Sequence, residues 1–458
     1  MVRILLMTVG TGIKGKEEES MDSQGHGIAY AIKEVSPDKI IFLVTETSEK
    51  TLNYVEEYLN EDLKPIFLKN EKIRISSYSK INKIIEEISD IFEKNKNNTW
   101  IVIPTFGTKA MSIGLSVAGV IYNAEIKSIE GERENNIVKK GTEELRSQNL
   151  WYLKNVFIIE KIKESFRSYK FSSALDKLEE ITQTSGFEEK YIDLKNIIKA
   201  YISWDMFDHK IAFLKLKEFK NKRKYKIDKN FKFLEDLYNL REMIKKEKEE
   251  YKKAIGNEKI KLEEIIKNLK VKELLYLIFD LYSNALRRLE EKKYDDCMAR
   301  LYRIFEFIAQ FILWRNYNIS VSNMFEKNLD DEISNNYQEN ISSCDEVFYD
   351  CPKIREKYNN MEEFKNKYCV DEKLKMGLKK CYDLLSDLGD DFGNYIKEIE
   401  KILFQRNNSI LAHGIRPIKE NSCNEAKEKV EKLLRKLCEM ERYDFDELMR
   451  MSCFIKEL

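Results

Sequence analysis

The sequence predicts an α/β domain followed by an all-α region: an N-terminal Rossmann-like parallel sheet, then a helical linker and a second helical domain. Three observations support this prediction. Short apolar, β-branched runs alternate with helical patterns from residue 1 to about residue 130, and half of the 16 glycines lie in this part of the chain. After about Trp151 the strand patterns stop, while helical periodicity rich in Lys and Glu continues to the C-terminus.

The N-terminal alternation predicts that the sheet is parallel. Apolar strands separated by helices of this length form right-handed βαβ units, in which successive strands run in the same direction. The predicted strands are "RILLMTV", "KIIFLVT", "EKIRISSY" and "WIVIPTFG", and the predicted helices are "HGIAYAIKEV", "SEKTLNYVEEYL", "KINKIIEEISDIFEKN" and "TKAMSIGLSVAGVIY".

The helical remainder divides near residue 255. The stretch "KEKEEYKKAIGNEKIKLEEIIKN" is highly charged and contains a single glycine, which is typical of a connection between two helical segments. We therefore predict a first domain over residues 1–145, a helical connecting segment over 146–255 and a helical domain over 256–458. The segments "FSSALDKLEEI" and "YDDCMARLYRIFEFIAQFILW" show the helical period most clearly, and no repeat of solenoid length is present.

Composition excludes few functions. The 458 residues contain 80 basic and 80 acidic side chains, so net charge gives no argument for nucleic acid as a partner, although a local basic site remains possible. The N-terminus "MVRILLMTVGTG" has an apolar run that is too short for a membrane span and lacks a cleavage pattern. We expect a soluble cytoplasmic protein.

The cysteines argue against a metal site. All eight lie at or after Cys297 without a CxxC pair, and the chain has only three histidines, so a zinc cluster or a disulfide framework would be hard to assemble. We expect no metal, and we predict reduced thiols that pack as small hydrophobic side chains.

The first glycine cluster matches a dinucleotide-binding fingerprint in its letters. Gly10, Gly12 and Gly15 have the required spacing after a predicted strand. The context does not fit, because the acidic stretch "KEEESMDSQ" precedes the predicted helix and would repel a pyrophosphate. The acidic residue expected about 20 positions later is also missing, since Glu46 comes too late. Nicotinamide or flavin binding is therefore disfavoured.

Two polar, glycine-containing turns follow predicted strands, at residues 8–12 ("TVGTG") and 105–111 ("TFGTKAM"). In an open α/β sheet both lie along the edge where ligands bind. Each turn alone is explained as a tight βα turn with an N-cap and a solvated Lys109, but two of them on one edge favour an anionic nucleotide. His26 could reach the same edge or be an ordinary solvated or capping residue. The candidate ligand-binding residues are Thr8, Gly10, Thr11, Gly12, His26, Thr105, Gly107, Thr108, Lys109 and Met111.

A second motif, "RNNSILAHG" at residues 406–414, lies near the C-terminus. The apolar residues of the preceding segment predict a helical stripe that carries Arg406 and His413, seven positions apart, on the same face. A helix C-terminus would explain His413, Gly414 and the later Pro417. It would not explain Arg406 on the apolar face or three poor helix formers inside a helix.

An imidazole and a guanidinium are the groups that metal-free RNA cleavage requires. The imidazole exchanges protons near neutral pH, and the guanidinium binds phosphate with two parallel hydrogen bonds. On one helix the two residues would lie about 10 Å apart, too far to act on one phosphate. Two helices around a two-fold axis would bring two Arg406/His413 pairs into one cleft, which predicts a homodimer for catalysis.

These motifs together resemble the CRISPR-associated CARF–HEPN ribonucleases that accompany type III interference complexes, over nearly the whole chain. The C-terminal motif is similar to the HEPN signature, in which Arg406, Asn407 and His413 match the catalytic positions, with a spacing at the long end of the family's range. The segment "DDCMARLYRIFEFIAQF" resembles an earlier HEPN helix, and "VGTG" and "GTKAM" are similar to the two ligand loops of CARF domains.

The resemblance implies allostery. A CARF dimer would bind a cyclic oligoadenylate, such as the tetra- or hexa-adenylate that the interference complex makes, and would activate a HEPN dimer that degrades single-stranded RNA, without stable binding to that complex. Some CARF domains also cleave their activator, which would give Thr11 or Thr108 a second role. A nucleotide-sensing adaptor without nuclease activity and a HEPN toxin independent of cyclic nucleotide remain as alternatives.

Two further features have less specific interpretations. The basic run over residues 215–233 contains Phe219, Phe231 and Phe233, and it either guides RNA or is a solvated face whose aromatic rings pack inward. His209 has no partner constellation in the sequence, so we interpret it as a structural or surface residue.

Overall fold

The computed structural model describes residues 2–13, 15–75, 80–135, 137–148, 151–185, 188–219, 222–321 and 341–458. The chain forms two compact units, Met1–Glu160 and Lys161–Leu458.

The first unit is built on one six-stranded sheet. Its strands are β1 (Arg3–Thr8), β2 (Lys39–Val44), β3 (Glu71–Arg74), β4 (Thr99–Ile103), β5 (Glu125–Glu130) and β8 (Glu144–Ser147), while β6 (Arg133–Glu134) and β7 (Ile137–Val138) form a small hairpin. The order is β3-β2-β1-β4-β5-β8, with parallel pairing except between β5 and β8. The predicted parallel sheet is confirmed; residues 76–78 of the predicted third strand lie outside the described residues.

Helices cover both faces of this sheet. They are α1 (Glu17–Val35), α2 (Leu52–Tyr58), α3 (Lys64–Leu68), α4 (Ile81–Lys94) and α5 (Lys109–Ile121), with a 3-10 turn at Ser48–Thr51. Because side chains alternate along a strand, Leu5 and Met7 join the core beneath α1, whereas Ile4 and Leu6 join the core beneath α4 and α5. Burial on both faces explains why the strands are continuous apolar runs.

Helix α1 begins earlier than predicted. The sequence "KEEESMDSQ" was interpreted as a loop, but Glu17, Glu18 and Glu19 form the first helical turn, where carboxylates interact favourably with the helix dipole. The glycine fingerprint therefore does open onto a helix, contrary to our prediction. Three carboxylates at that helix N-terminus would still repel a pyrophosphate.

The second unit is helical, as predicted. Helix α6 (Trp151–Arg167) bridges the division, followed by α7 (Phe171–Ser185), α8 (Glu188–Asp205), α9 (His209–Glu218), α10 (Asp228–Tyr251), α11 (Asn257–Glu290), α12 (Tyr294–Tyr317), α13 (Cys344–Asp350), α14 (Pro352–Lys357), α15 (Met361–Tyr368), α16 (Leu378–Asp387), α17 (Ile396–Asn407), α18 (Glu420–Glu441) and α19 (Phe445–Ser452). Short 3-10 turns occupy Lys222–Tyr225 and Asp391–Tyr395.

Helix α12 lies at the centre of the C-terminal helices. It packs against α11, α16, α17 and α18, and its buried residues Phe305, Ile308 and Phe311 fill that contact. The buried Tyr382 hydroxyl of α16 donates to the Phe305 carbonyl oxygen at 3.1 Å. These contacts fix the helix against which the C-terminal motif is placed.

The cysteine prediction is wrong for one pair. Cys344, at the start of α13, and Cys369, just after α15, form a disulfide, whereas the other six cysteines are free thiols. Spacing alone does not indicate pairing, because the two residues are 25 positions apart and are brought together by helix packing.

His209 is structural, as one of the two interpretations expected. It is buried, and its Nε2 lies 2.7 Å from Asp280 Oδ2, while Trp204 Nε1 donates to Asp280 Oδ1 at 2.9 Å. In the basic run, Phe219 and Phe233 are buried and Phe231 is half-buried, which favours the solvated-face interpretation; residues 220–221 lie outside the described residues.

Candidate functional site

A cavity of about 870 Å³ lies at the carboxyl edge of the sheet in the first unit. Turns that follow β1, β2 and β4 line it, as expected where strand order places loops on one edge. The cavity has the size of a small-molecule site. Seven predicted ligand residues line it, namely Gly10, Thr11, Gly12, Thr105, Gly107, Thr108 and Met111.

The two glycine turns touch each other at the floor of the cavity. A Cβ added to Gly10 would lie 2.7 Å from the Gly107 amide nitrogen, and Gly107 has a φ of +109°, which favours glycine. The two turns can approach this closely only because Gly10 carries no side chain.

Helix α1 and the neighbouring 3-10 turn hold the first glycine turn. Thr51 Oγ1 donates to the Gly10 carbonyl at 2.7 Å. With its amide oriented to satisfy both groups, Gln24 donates to the same carbonyl at 3.1 Å and accepts from the Gly12 N–H at 2.8 Å. Sequence analysis missed Gln24 and Thr51, because only the fold brings them to the turn.

Substitution of Gly12 by Ala should destabilise the first unit. Gly12 has a φ of +79°, and a Cβ there would lie 2.1 Å from the Ser20 Cβ. Gly15 has a φ of +84° with open space around its Cβ. Gly15→Ala is the matched control and should lose about 1 kcal/mol of unfolding free energy, whereas Gly12→Ala should lose roughly 3 kcal/mol or more. Denaturant unfolding checks this, and equal losses would contradict the steric argument.

Three of the predicted threonines have identifiable places in the fold. The Thr105 hydroxyl accepts from the Ile129 N–H at 2.9 Å, and the Thr108 hydroxyl caps α5 by accepting from the Met111 N–H at 3.2 Å. Thr8 is buried and does not line the cavity, and no described residue hydrogen-bonds its Oγ1. Thr105 and Thr108 thus stabilise the local backbone. Contact of the three threonines with a ligand stays a prediction.

Two other predicted residues lie outside the lining. Lys109 begins α5 with an exposed side chain. His26 contacts Glu143 instead, with 2.6 Å between Nδ1 and Oε1, and Glu143 lines the cavity. His26 therefore holds the side chain of Glu143, which lines the cavity.

Sequence analysis missed three charged residues that line the cavity: Glu46 in the turn after β2, Arg133 on the β6–β7 hairpin, and Glu143 just before β8. Ser23 of α1 holds this hairpin by donating to the Val138 carbonyl at 2.7 Å. Among the described lining residues, Arg133 is the only basic one. Nothing in its polar, irregular segment "ERENN" indicated a position beside the glycine turns.

The C-terminal motif forms a turn, not a continued helix. Helix α17 ends at Asn407, and the Asn408 side chain donates to the Phe404 carbonyl at 2.8 Å. Asn and Ser compete in this way with helical backbone bonding. The predicted stripe with Arg406 and His413 on one helical face is therefore wrong.

The turn brings His413 back towards the end of α17. The His413 N–H donates to the Asn407 carbonyl at 3.2 Å, and the Gly414 N–H donates to the Ser409 carbonyl at 3.0 Å. A Cβ on Gly414 would lie 2.0 Å from the Asn408 carbonyl oxygen, so only glycine fits there. The axial separation of about 10 Å expected on a helix does not apply.

Arg406 is oriented by contacts on both sides. Its guanidinium lies 4.7 Å from the centroid of the Tyr302 ring on α12, and Nη1 donates to Asn407 Oδ1 at 3.1 Å. Burial, followed by the Glu306 carboxylate, raises the pKa of Tyr302, so the ring stays neutral. Asn407 and His413 are exposed, whereas Arg406 is half-buried.

Apolar side chains surround these residues. Four of them are largely exposed within residues 404–415, namely Phe404 (72%), Ile410 (59%), Leu411 (61%) and Ile415 (88%). We call these four residues the apolar rim. Such a group at a protein surface is typical of an interaction site.

Two features are absent from the ranges that the structure describes. No group of three or more His, Cys, Asp or Glu side chains is arranged to hold a metal ion. No helix there is long and apolar enough to cross a membrane.

Comparison with known proteins gives two family matches. Residues 157–249 match the model of the Csm6 6H domain, and residues 266–437 match the model of the Csm6 HEPN domain. The HEPN match includes the turn with Arg406 and His413. No curated protein sequence matches the chain.

A solved structure shares the fold over the full length. The structure of "Enterococcus italicus Csm6 bound to cyclic hexa-2'-fluoro-hexa-dAMP" superimposes with a TM-score of 0.58 at 12% sequence identity, covering 98% of this chain and 97% of that one. The two family matches together span more than half of the sequence. The chain therefore belongs to the Csm6 family of CRISPR-associated CARF–HEPN effectors.

Proposed function

We propose that the protein is a cytoplasmic endoribonuclease of type III CRISPR antiviral defence that cyclic oligoadenylate activates and that cleaves single-stranded RNA without a metal. The observation that carries the proposal is the turn of residues 407–414, which brings the backbone of exposed His413 back to Asn407, next to half-buried Arg406. Arg406, Asn407 and His413 are the proposed catalytic residues.

The chemistry follows from the three side chains. A ribose 2′-hydroxyl attacks the adjacent phosphorus as its proton is removed, and the bond to the 5′ oxygen breaks as that oxygen receives a proton. His413 serves one of these proton transfers. Arg406 stabilises the negative charge that develops on the phosphoryl oxygens, while Asn407 holds the guanidinium. DNA lacks the nucleophile and would not be cut.

A homodimer supplies the second proton-transfer group. One imidazole does not act as acid and base at the same moment, whereas two copies around a two-fold axis provide two histidines. The apolar rim supports such an interface, because its four side chains would be buried between the copies. The exposed residues Ile113, Val117 and Ile121 of α5, spaced by four, offer a second apolar face for a dimer of the first unit.

The cavity in the first unit is the proposed activator site. Its glycine turns present backbone N–H groups, which suit phosphate oxygens. The proposed ligand residues are those predicted from sequence, namely Thr8, Gly10, Thr11, Gly12, His26, Thr105, Gly107, Thr108, Lys109 and Met111, together with Arg133. The cyclic hexanucleotide bound to the Enterococcus italicus protein supports a ligand of this class, a tetra- or hexa-adenylate.

The domain boundaries remain part of the proposal. We assign residues 1–145 to CARF-like sensing, 146–255 to a helical connection and 256–458 to the HEPN nuclease. The 6H and HEPN matches fall within the second and third of these segments.

Cleavage of a fluorescent single-stranded RNA in EDTA tests the function. The purified protein is incubated without nucleotide, with cyclic tetra-adenylate or with cyclic hexa-adenylate. We expect cleavage with one ring only, and none of a DNA of the same sequence. Ring binding without cleavage would instead support an adaptor, and equal cleavage without any ring would support a toxin.

A further inference from the structure

The cavity contains an acidic residue that has no partner. Glu46 lines it with an exposed side chain, and it forms no hydrogen bond or ion pair with any described residue. The other lining carboxylate differs, because Glu143 is held by His26 at 2.6 Å and by the Gly141 N–H at 2.7 Å. Glu46 is therefore the lining acid that is open to a ligand.

The turn that carries Glu46 is held rigidly. The Thr45 N–H donates to Ser48 Oγ at 2.9 Å, and the Ser48 N–H donates to Thr45 Oγ1 at 3.2 Å. The 3-10 turn that follows is tied to the first glycine turn through Thr51. The position of Glu46 relative to the glycine turns is thus set before any ligand binds.

An unpaired carboxylate in a site for a polyanion needs an explanation. Beside a phosphate it would weaken binding, because like charges a few ångströms apart repel. It favours binding only where it meets a neutral hydrogen-bond donor. A cyclic adenylate offers two kinds of donor, the 6-amino group of the base and the 2′-hydroxyl of the ribose.

The strand order distinguishes these two donors. The glycine turns follow β1 and β4, which are neighbours, whereas Glu46 follows β2 on the outer side of β1. Adjacent strands are about 5 Å apart, so the Glu46 turn starts about 5 Å from one glycine turn and about 10 Å from the other. If the glycine turns hold phosphates, the adjacent ribose lies near them, and the amino group at the far end of the base lies towards Glu46.

We propose that Glu46 determines the base specificity of the activator by accepting a hydrogen bond from the 6-amino group of an adenine. This inference rests on the proposed function and names the residue that reads the base. Guanine and hypoxanthine carry an acceptor oxygen at this position, which the carboxylate would repel. A ring with such bases would therefore bind poorly.

The test compares cyclic adenylate and cyclic inosinate rings of equal size by calorimetry on the full-length chain. The wild type should bind the adenylate ring about 10- to 100-fold more tightly. Glu46→Gln should narrow the ratio to about 3-fold, since an amide both donates and accepts. Glu57→Gln, which removes an exposed carboxylate of α2 outside the cavity lining, should keep the wild-type ratio.

Three results would overturn the inference alone. The first is an unchanged ratio of adenylate-ring to inosinate-ring affinity in Glu46→Gln, and the second is that Glu46→Ala binds both rings more tightly by the same factor. The third is that the effect of substituting Glu46 on binding depends on the 2′-hydroxyl of the ring and not on its 6-amino group. Failure of the wild type to bind either adenylate ring would overturn the proposed activator together with this inference.

Discussion

Replacement of His413 by Ala should lower the rate of RNA cleavage by about 10²- to 10⁴-fold, because a positioned proton-transfer group contributes a factor of that size. The imidazole is exposed, and its removal leaves the 3.2 Å backbone hydrogen bond to Asn407 in place. Thermal stability and activator binding should therefore remain at wild-type values. The measurement is single-turnover cleavage with saturating ring.

Arg406 extends this prediction. Arg406→Ala should cost about 10²- to 10³-fold in rate, and Arg406→Lys should restore little, since an ammonium lacks the planar pair of donors. Arg355→Ala is a matched control, because Arg355 of α14 is exposed and lies outside the motif. Activity that survives in both the His413 and Arg406 variants would refute the assigned catalytic residues.

Ile410→Asp should abolish catalysis by separating the two copies. Burial of an uncompensated carboxylate in an apolar interface costs at least about 3 kcal/mol, which weakens dimerisation by more than about 100-fold. Sedimentation should show monomers at concentrations where the wild type is dimeric, and activated cleavage should fall in parallel.

The matched control for this variant is Ile255→Asp. Ile255 is 87% exposed between α10 and α11, outside the apolar rim. It should leave both dimer and activity unchanged. An Ile410→Asp protein that stays dimeric and cleaves RNA normally would show that the apolar rim is not the catalytic interface.

The fold was predictable where burial leaves a pattern. Strands β1, β2 and β4 are covered on both faces, so their sequences are unbroken apolar runs. The β6–β7 hairpin was not predicted, because strands of two residues have no periodicity to detect. The antiparallel strand β8 was missed for a similar reason, since four mostly exposed residues give no apolar signal.

The site was predictable where backbone geometry selects residue types. Glycines at the ends of two strands indicated the cavity, because close backbone approach requires them. Gln24, Glu46 and Arg133 come from three other segments, and only the folded topology brings them to that edge.

The error in the C-terminal motif has a similar cause. The apolar residues before the motif were interpreted as a helical stripe that continues to His413, although the helix ends at Asn407. The hydrogen bonds that Asn408 and Ser409 form within the turn are local, and the spacing of apolar residues gives no information about them.

The contact between Gly10 and Gly107 has a consequence for the divergence of related chains. A side chain at residue 10 would collide with the Gly107 backbone, and the φ of +109° at Gly107 disfavours any other residue there, so neither position tolerates a side chain without a change in the turns. The cavity-lining residues Glu46, Thr47 and Arg133 are under no such restriction. We expect related proteins to keep both glycines, and to change which ring they prefer through single substitutions at these three lining residues.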